Sequence, residues 1–107
     1  MNANDLFREI ANTLMKKDHT VTLGKMMSSP GIQYKGKNFA FIHHDEMIFK
    51  LGKKFNAPAN GIHEVRYLNP FKTKPPLKAW LVISESQSHL WPELAELSLD
   101  YLKTEVG

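Results

Sequence analysis

The stretch Gly31-Ile32-Gln33-Tyr34-Lys35-Gly36-Lys37-Asn38-Phe39-Ala40-Phe41-Ile42-His43-His44-Asp45-Glu46-Met47-Ile48-Phe49-Lys50-Leu51 decides how the rest of the chain is read. Three β-compatible runs, Ile32–Tyr34, Asn38–Ile42 and Met47–Leu51, are separated by Lys35-Gly36-Lys37 and by His44-Asp45-Glu46. Gly36 is free to take the positive φ that tight hairpin turns require. The stretch therefore reads as an antiparallel meander with two tight turns.

Towards the N-terminus, Val21 to Met27 is a further strand, in which Gly24 is expected to mark a bulge or bend. Ser28-Ser29-Pro30-Gly31 then punctuates the chain. Before it, Asn4 is the expected N-cap of a helix over Asp5 to Lys17. Leu6, Phe7, Ile10, Ala11, Leu14 and Met15 recur there at helical spacing, with Arg8, Glu9, Asn12 and Lys16 outside the stripe.

On the C-terminal side, Lys53-Lys54-Phe55 with Ala57 and Ala59 suggests a short helix, cut by Pro58 and stopped by Gly61. His63 to Leu68 reads as a strand with Val65 and Tyr67 on one face. Asn69 to Pro76 is a proline-bounded loop, and Leu77 to Ser84 is the clearest strand of the second half. A final helix begins between Ser88 and Pro92, where proline is tolerated. Its apolar line is Leu90, Leu94, Leu97 and Tyr101, flanked by Trp91, Ala95 and Leu102, while Glu93, Glu96 and Asp100 face water.

The condensed order is α-β-β-β-α-β-β-α. A meander flanked by amphipathic helices must bury both on the same sheet, so the expected fold is an α+β two-layer sandwich with an antiparallel sheet, one domain over residues 1–107.

Two Trp, three Tyr and six Phe supply most of the burial such a domain needs. The absence of cysteine excludes disulfides, thiolate nucleophiles and cysteine–zinc centres, and fits a cytoplasmic protein. No basic start precedes an apolar run, so no signal peptide is expected, and the longest apolar runs are far too short to span a bilayer. The net charge of +3 is unevenly placed. Residues 50–78 carry Lys50, Lys53, Lys54, Arg66, Lys72, Lys74 and Lys78 against Glu64, whereas residues 79–107 carry Lys103 against five acids. The leading reading is solvated lysines on loops; a basic and an acidic surface are the alternative.

An ordered series of short motifs is informative. Gly24-Lys25-Met26-Met27, Ser29-Pro30-Gly31-Ile32 and Gly36-Lys37-Asn38-Phe39-Ala40 come first. Met47-Ile48-Phe49-Lys50-Leu51, Asn69-Pro70-Phe71 and Lys78-Ala79-Trp80 follow, then Trp91, Leu94-Ala95 and Tyr101-Leu102. From about residue 20 to the C-terminus this series resembles the TfoX N-terminal domain family, named for a regulator of bacterial competence. The resemblance implies an α+β sandwich of the order given above, similar in shape to the YjbR-like proteins, for which DNA binding has been suggested, and to secretion chaperones. The regulator carries a second, helical domain, which this chain, ending at Gly107, is not expected to share, so a competence role is not transferred. The family brings no catalytic or cofactor residues with it.

The residues themselves suggest no enzyme. No His-Glu-X-X-His, Gly-X-Ser-X-Gly or phosphate-loop pattern occurs. His43 and His44 are adjacent and on a strand would point to opposite faces, and Asp45-Glu46 sits in a turn where both carboxylates should be solvated. No cofactor and no metal are expected. The leading expectation is a regulatory or interaction module with a protein partner or a second copy of itself, pairing through an exposed edge strand. Met26, Met27, Phe55, Tyr67, Phe71 and Trp80 are expected to fill the core rather than line a groove. The alternative is weak, salt-sensitive DNA binding through Lys35, Lys37, Lys53, Lys54, Lys72, Lys74 and Lys78. Only Arg8 and Arg66 are arginines, so base-specific reading is not expected. An enzyme with an unrecognised site is the third reading.

Overall fold

The computed structural model describes residues 2–69 and 76–106. It contains helix α1 (Ala3–Lys17), strands β1 (Val21–Met26), β2 (Ser29–Tyr34), β3 (Lys37–His43), β4 (Glu46–Lys50), β5 (Tyr67–Leu68) and β6 (Leu77–Ile83), and helix α2 (Trp91–Val106). Single 3-10 segments occupy Pro58–Asn60 and Glu85–Leu90. All strand pairs are antiparallel, in the order β1-β2-β3-β4-β6-β5. The fold is α+β, as the sequence pattern implied.

All four strands read between residues 21 and 51 are present, one more than the condensed order α-β-β-β-α-β-β-α counts, and the middle helical segment is a 3-10 turn. Pro58 at its start cannot donate an amide hydrogen, and Gly61 ends it in the left-handed region at φ 82°. The strand expected over His63–Leu68 is reduced to two residues, and a 3-10 turn precedes α2. α1 is capped by Asn2, whose side chain accepts the Asp5 N–H at 2.9 Å; Asn4 lies inside the helix and is exposed. The loop expected over Asn69 to Pro76 falls almost wholly outside the described residues.

The sheet is organised by three successive two-residue turns. Met27-Ser28, Lys35-Gly36 and His44-Asp45 all have positive φ at both positions, between 49° and 78°. That is the type I′ geometry, whose twist matches that of the flanking strands. The first turn explains why β2 begins at Ser29 although Pro30 and Gly31 resemble breakers. Met26 and Ser29 close the hairpin, Pro30 sits opposite Lys25, and pairing with β3 starts one residue later, at Gly31 opposite Phe41.

Gly24 pairs regularly with Gly31, so it is not a bulge. The irregularity lies on the other side of β2, where Ile32 faces Ala40 and Gln33 faces Asn38, leaving Phe39 as the extra residue of β3. The bulge lets Phe39 and Ala40, neighbours in the chain, both enter the core. Gly24 has a different use. A Cβ there would stand 2.2 Å from Gln33 Nε2, so the bare glycine leaves room for the Gln33 amide to lie across β1.

Both helices and the sheet share one core. α1 contributes Phe7, Ile10, Ala11 and Leu14; the strands contribute Ile32, Ala40, Ile42, Met47, Phe49, Leu81 and Ile83. α2 contributes Trp91, Leu94, Ala95, Leu99 and Leu102, so its buried centre is turned from the Leu90–Leu97–Tyr101 line, which forms the rim. Trp91 is fully enclosed, and its indole N–H is satisfied by the Ile83 carbonyl at 3.3 Å. Phe41 and Ile48 alternate with these strand residues, pair with each other across β3 and β4, and are buried outside this cluster, on the opposite face. Trp80 meets Phe41 edge to face, with ring centroids 5.7 Å apart.

The expectation that Met26, Met27, Tyr67 and Trp80 fill the core is corrected, whereas Phe55 does pack against it. Met27 and Tyr67 are exposed, and the other three are half-buried. Met27 occupies a turn, and Trp80 projects from β6 on the face away from the helices, so neither can reach the core however apolar it is. Phe71 lies outside the described residues.

Candidate functional site

Strand direction sorts the charged residues between the two ends of the sheet. β1 and β3 run one way, β2, β4 and β5 the other, and β6 again with β3. The Lys35-Gly36 turn, the chain leaving β4 and the start of β6 therefore lie at the same end. Ala40 is opposite Phe49, and continuing that register sets Lys37 level with Gly52. The N–H groups of Leu51 and Gly52 both reach the Ala79 carbonyl, at 2.9 and 3.1 Å, which sets Lys78 at nearly the same level on β6. Lys35, Lys37, Lys53, Lys54 and Lys78 are thereby brought to one end, all exposed. Lys72 and Lys74 lie outside the described residues.

Gly52 aims this end. It is buried at φ 88°, and a Cβ on it would stand 2.7 Å from the Tyr101 ring. Only glycine fits both the backbone and the space. The chain turns sharply here, carrying Lys53 and Lys54 beyond the end of β4. A groove of about 550 Å³ lies against this turn, walled in part by Gly52, Lys53, Lys54, Phe55 and Tyr101.

The carboxylates at this end are largely answered by other lysines. Lys50 pairs with Glu105 and Lys103 with Asp18, each at 3.0 Å, and Lys17 pairs with Glu96. Asp18 accepts the Thr20 N–H at 2.9 Å. That bond first, and the Lys103 ammonium second, hold its carboxyl below the usual range, while Asp18 raises Lys103. Lys35 and Lys103 both approach the Tyr34 ring, at 5.6 and 5.5 Å from its centroid. Among the described residues no carboxylate pairs with Lys35, Lys37, Lys53, Lys54 or Lys78. Five ammonium groups are thus left for an anion.

The other end is chemically different. Ser29 Oγ meets His43 Nδ1 at 2.9 Å, and the His43 and His44 rings stand 4.0 Å apart. His44 lies in the turn at φ 49°, which is how two neighbours expected on opposite faces come together. Among the described residues no group of three or more histidine or acidic side chains is placed to hold a metal ion, and no carboxylate accepts a hydrogen bond from His43. Glu46, expected to be freely solvated, is half-buried and bonded to Arg66, which also lies 3.6 Å from Glu64. The Glu46 bond, above all, raises the Arg66 guanidinium's proton affinity. Neither contact was read from the sequence. Ser29 and His43 are level when the Gly31–Phe41 register is extended, so correct strand pairing would have revealed the first.

No known protein-family model matches the chain, and no curated protein or solved structure shows significant similarity to it. Among the described residues no helix is long and apolar enough to cross a membrane.

Proposed function

We propose that this chain is a non-catalytic, cytoplasmic binding module whose lysine end grips the phosphate backbone of a nucleic acid. The observation that carries the reading is the convergence of Lys35, Lys37, Lys53, Lys54 and Lys78 at one end of the sheet without carboxylate partners among the described residues. Lysines are point charges on flexible stems, suited to phosphate contact rather than to bidentate reading of bases. The type I′ hairpin at Lys35-Gly36 offers a narrow tip for a groove. The resemblance of the motif series to the TfoX N-terminal domain family supports a regulatory setting for such binding.

The test is fluorescence anisotropy with a labelled duplex over a salt series. If each of the five lysines meets one phosphate, log affinity should fall with log salt at a slope of about −4.5, a loss of roughly 500-fold between 50 and 200 mM. Replacing Lys53 and Lys54 together by alanine should make the slope shallower by about 2, with little dependence on DNA sequence. No binding at low salt, or binding that the lysine substitutions leave unchanged, overturns the proposal.

A further inference from the structure

The two edges of the sheet are built differently. β5 is two residues long and bulged against β6, which is how proteins blunt an edge. β1 is six residues long, contains no proline and pairs without interruption with β2. Leu23, at its centre, is 57% exposed, and Met27, just beyond it, is 54% exposed.

The backbone of β1 can be assigned residue by residue. In a two-residue hairpin the flanking residues form the closely spaced, hydrogen-bonded pair, here Met26 with Ser29. Alternation then turns the amides of Thr22, Gly24 and Met26 towards β2, and those of Val21, Leu23 and Lys25 outward. Two outward groups are already used: the Val21 N–H donates to the Asp18 carbonyl at 3.0 Å, and the Lys25 carbonyl accepts from Asn38 Nδ2 at 3.2 Å. Both polar groups of Leu23, the Lys25 N–H and the Val21 carbonyl are without a partner among the described residues.

From this pattern we infer that β1 pairs with β1 of a second copy, antiparallel, about a twofold axis through Leu23. A strand meeting its own twofold copy presents matching donors and acceptors at matching spacing. With Leu23 opposite Leu23 of the second copy, the two residues exchange both main-chain bonds. Each Lys25 N–H reaches the Val21 carbonyl across the axis, so about four bonds form and neither spent group is needed. An axis through Gly24 would instead set the unpartnered Leu23 N–H against the spent Lys25 carbonyl. The Leu23 register also covers the most exposed leucine with its own copy. Arg8 and Lys25 line the groove beside this edge. Pairing is read without nucleic acid present, which makes failure of either proposal separately visible.

The chain has no cysteine, so a single introduced thiol reports the axis directly. Under mild copper–phenanthroline oxidation Leu23→Cys should cross-link to itself, because facing hydrogen-bonded residues lie about 5.5 Å apart at Cα, within disulfide reach. Lys25→Cys should not, since the two positions would be offset by about 13 Å along the strands. Sedimentation velocity should show a concentration-dependent dimer for the unmodified chain. It should show a monomer for Leu23→Lys, whose melting temperature should match that of the unmodified chain at dilutions where both are monomeric, because Leu23 is exposed. An unmodified chain that stays monomeric at about 1 mM, above the range of specific association, or Lys25→Cys cross-linking in place of Leu23→Cys, overturns the inference.

Discussion

Replacing Gly52 by alanine tests how the lysine end is aimed. The residue is held on both sides: its N–H and that of Leu51 share the Ala79 carbonyl, and its own carbonyl accepts the Phe55 N–H at 3.3 Å. The backbone therefore cannot relax from φ 88° without losing these bonds. Alanine in the left-handed region costs about 1–2 kcal/mol. The new methyl group would also stand 2.7 Å from Tyr101 Cε1 and 2.8 Å from Cζ, forcing the ring aside, an overpacking cost of roughly 1–3 kcal/mol. A total of roughly 3 kcal/mol is a large part of the ~5–15 kcal/mol that holds a domain together. It corresponds to a melting temperature lower by roughly 12–24 °C. Urea unfolding followed by the fluorescence of buried Trp91 and half-buried Trp80 measures it. In a Tyr101→Ala background the same substitution should cost only the backbone part, about 1–2 kcal/mol. A penalty below about 0.5 kcal/mol would refute the reasoning, and an equal penalty in both backgrounds would refute the role given to the Tyr101 ring.

Two further outcomes follow from the ends of α1. Asn2→Ala should lower stability by about 1 kcal/mol in the same assay, because it removes the side-chain acceptor of the Asp5 N–H, whereas Asn4→Ala should be close to neutral. At the other end, the folded-state carboxyl of Asp18 is depressed, so its stabilisation is present above the ordinary aspartate range and is lost as pH falls through the lowered value. The gap in urea midpoint between the unmodified chain and Asp18→Asn should therefore be open at pH 7 and narrow as pH falls below the ordinary aspartate range; a gap that does not change with pH contradicts the assignment.

Much of the fold was legible where one residue type forces one local answer. Gly36 announced the second hairpin, the α1 stripe announced its helix, and Leu81-Val82-Ile83 announced β6. The first hairpin was hidden because Met27 and Ser28 adopt left-handed geometry without glycine, and because Pro30 looks like a stop. Its missing N–H matters only where a ladder bond is needed, which depends on pairing rather than on local sequence. The bulge at Phe39 was invisible for the same reason: it exists only in the register between two strands. Burial of Met26 and Trp80 was misjudged because composition does not say which face of a sheet the helices cover; Tyr67, opposite core Leu81, is exposed because β5 is the edge of the sheet. The lysines were recognised individually, but their common end required strand directions. The Ser29–His43 and Glu46–Arg66 contacts required register as well.

The three two-residue turns also bear on how the chain reaches its fold. Closing a two-residue loop sacrifices little chain entropy, and each turn places its strands directly beside each other. β1 to β4 can therefore zip together from neighbour to neighbour, on the microsecond scale of hairpin formation. β6 must arrive from across the long connection after β4, and α1 and α2 come from opposite ends of the chain. Joining these parts closes the largest loops, so docking of β6 and the two helices onto a preformed meander should be the slow step of folding.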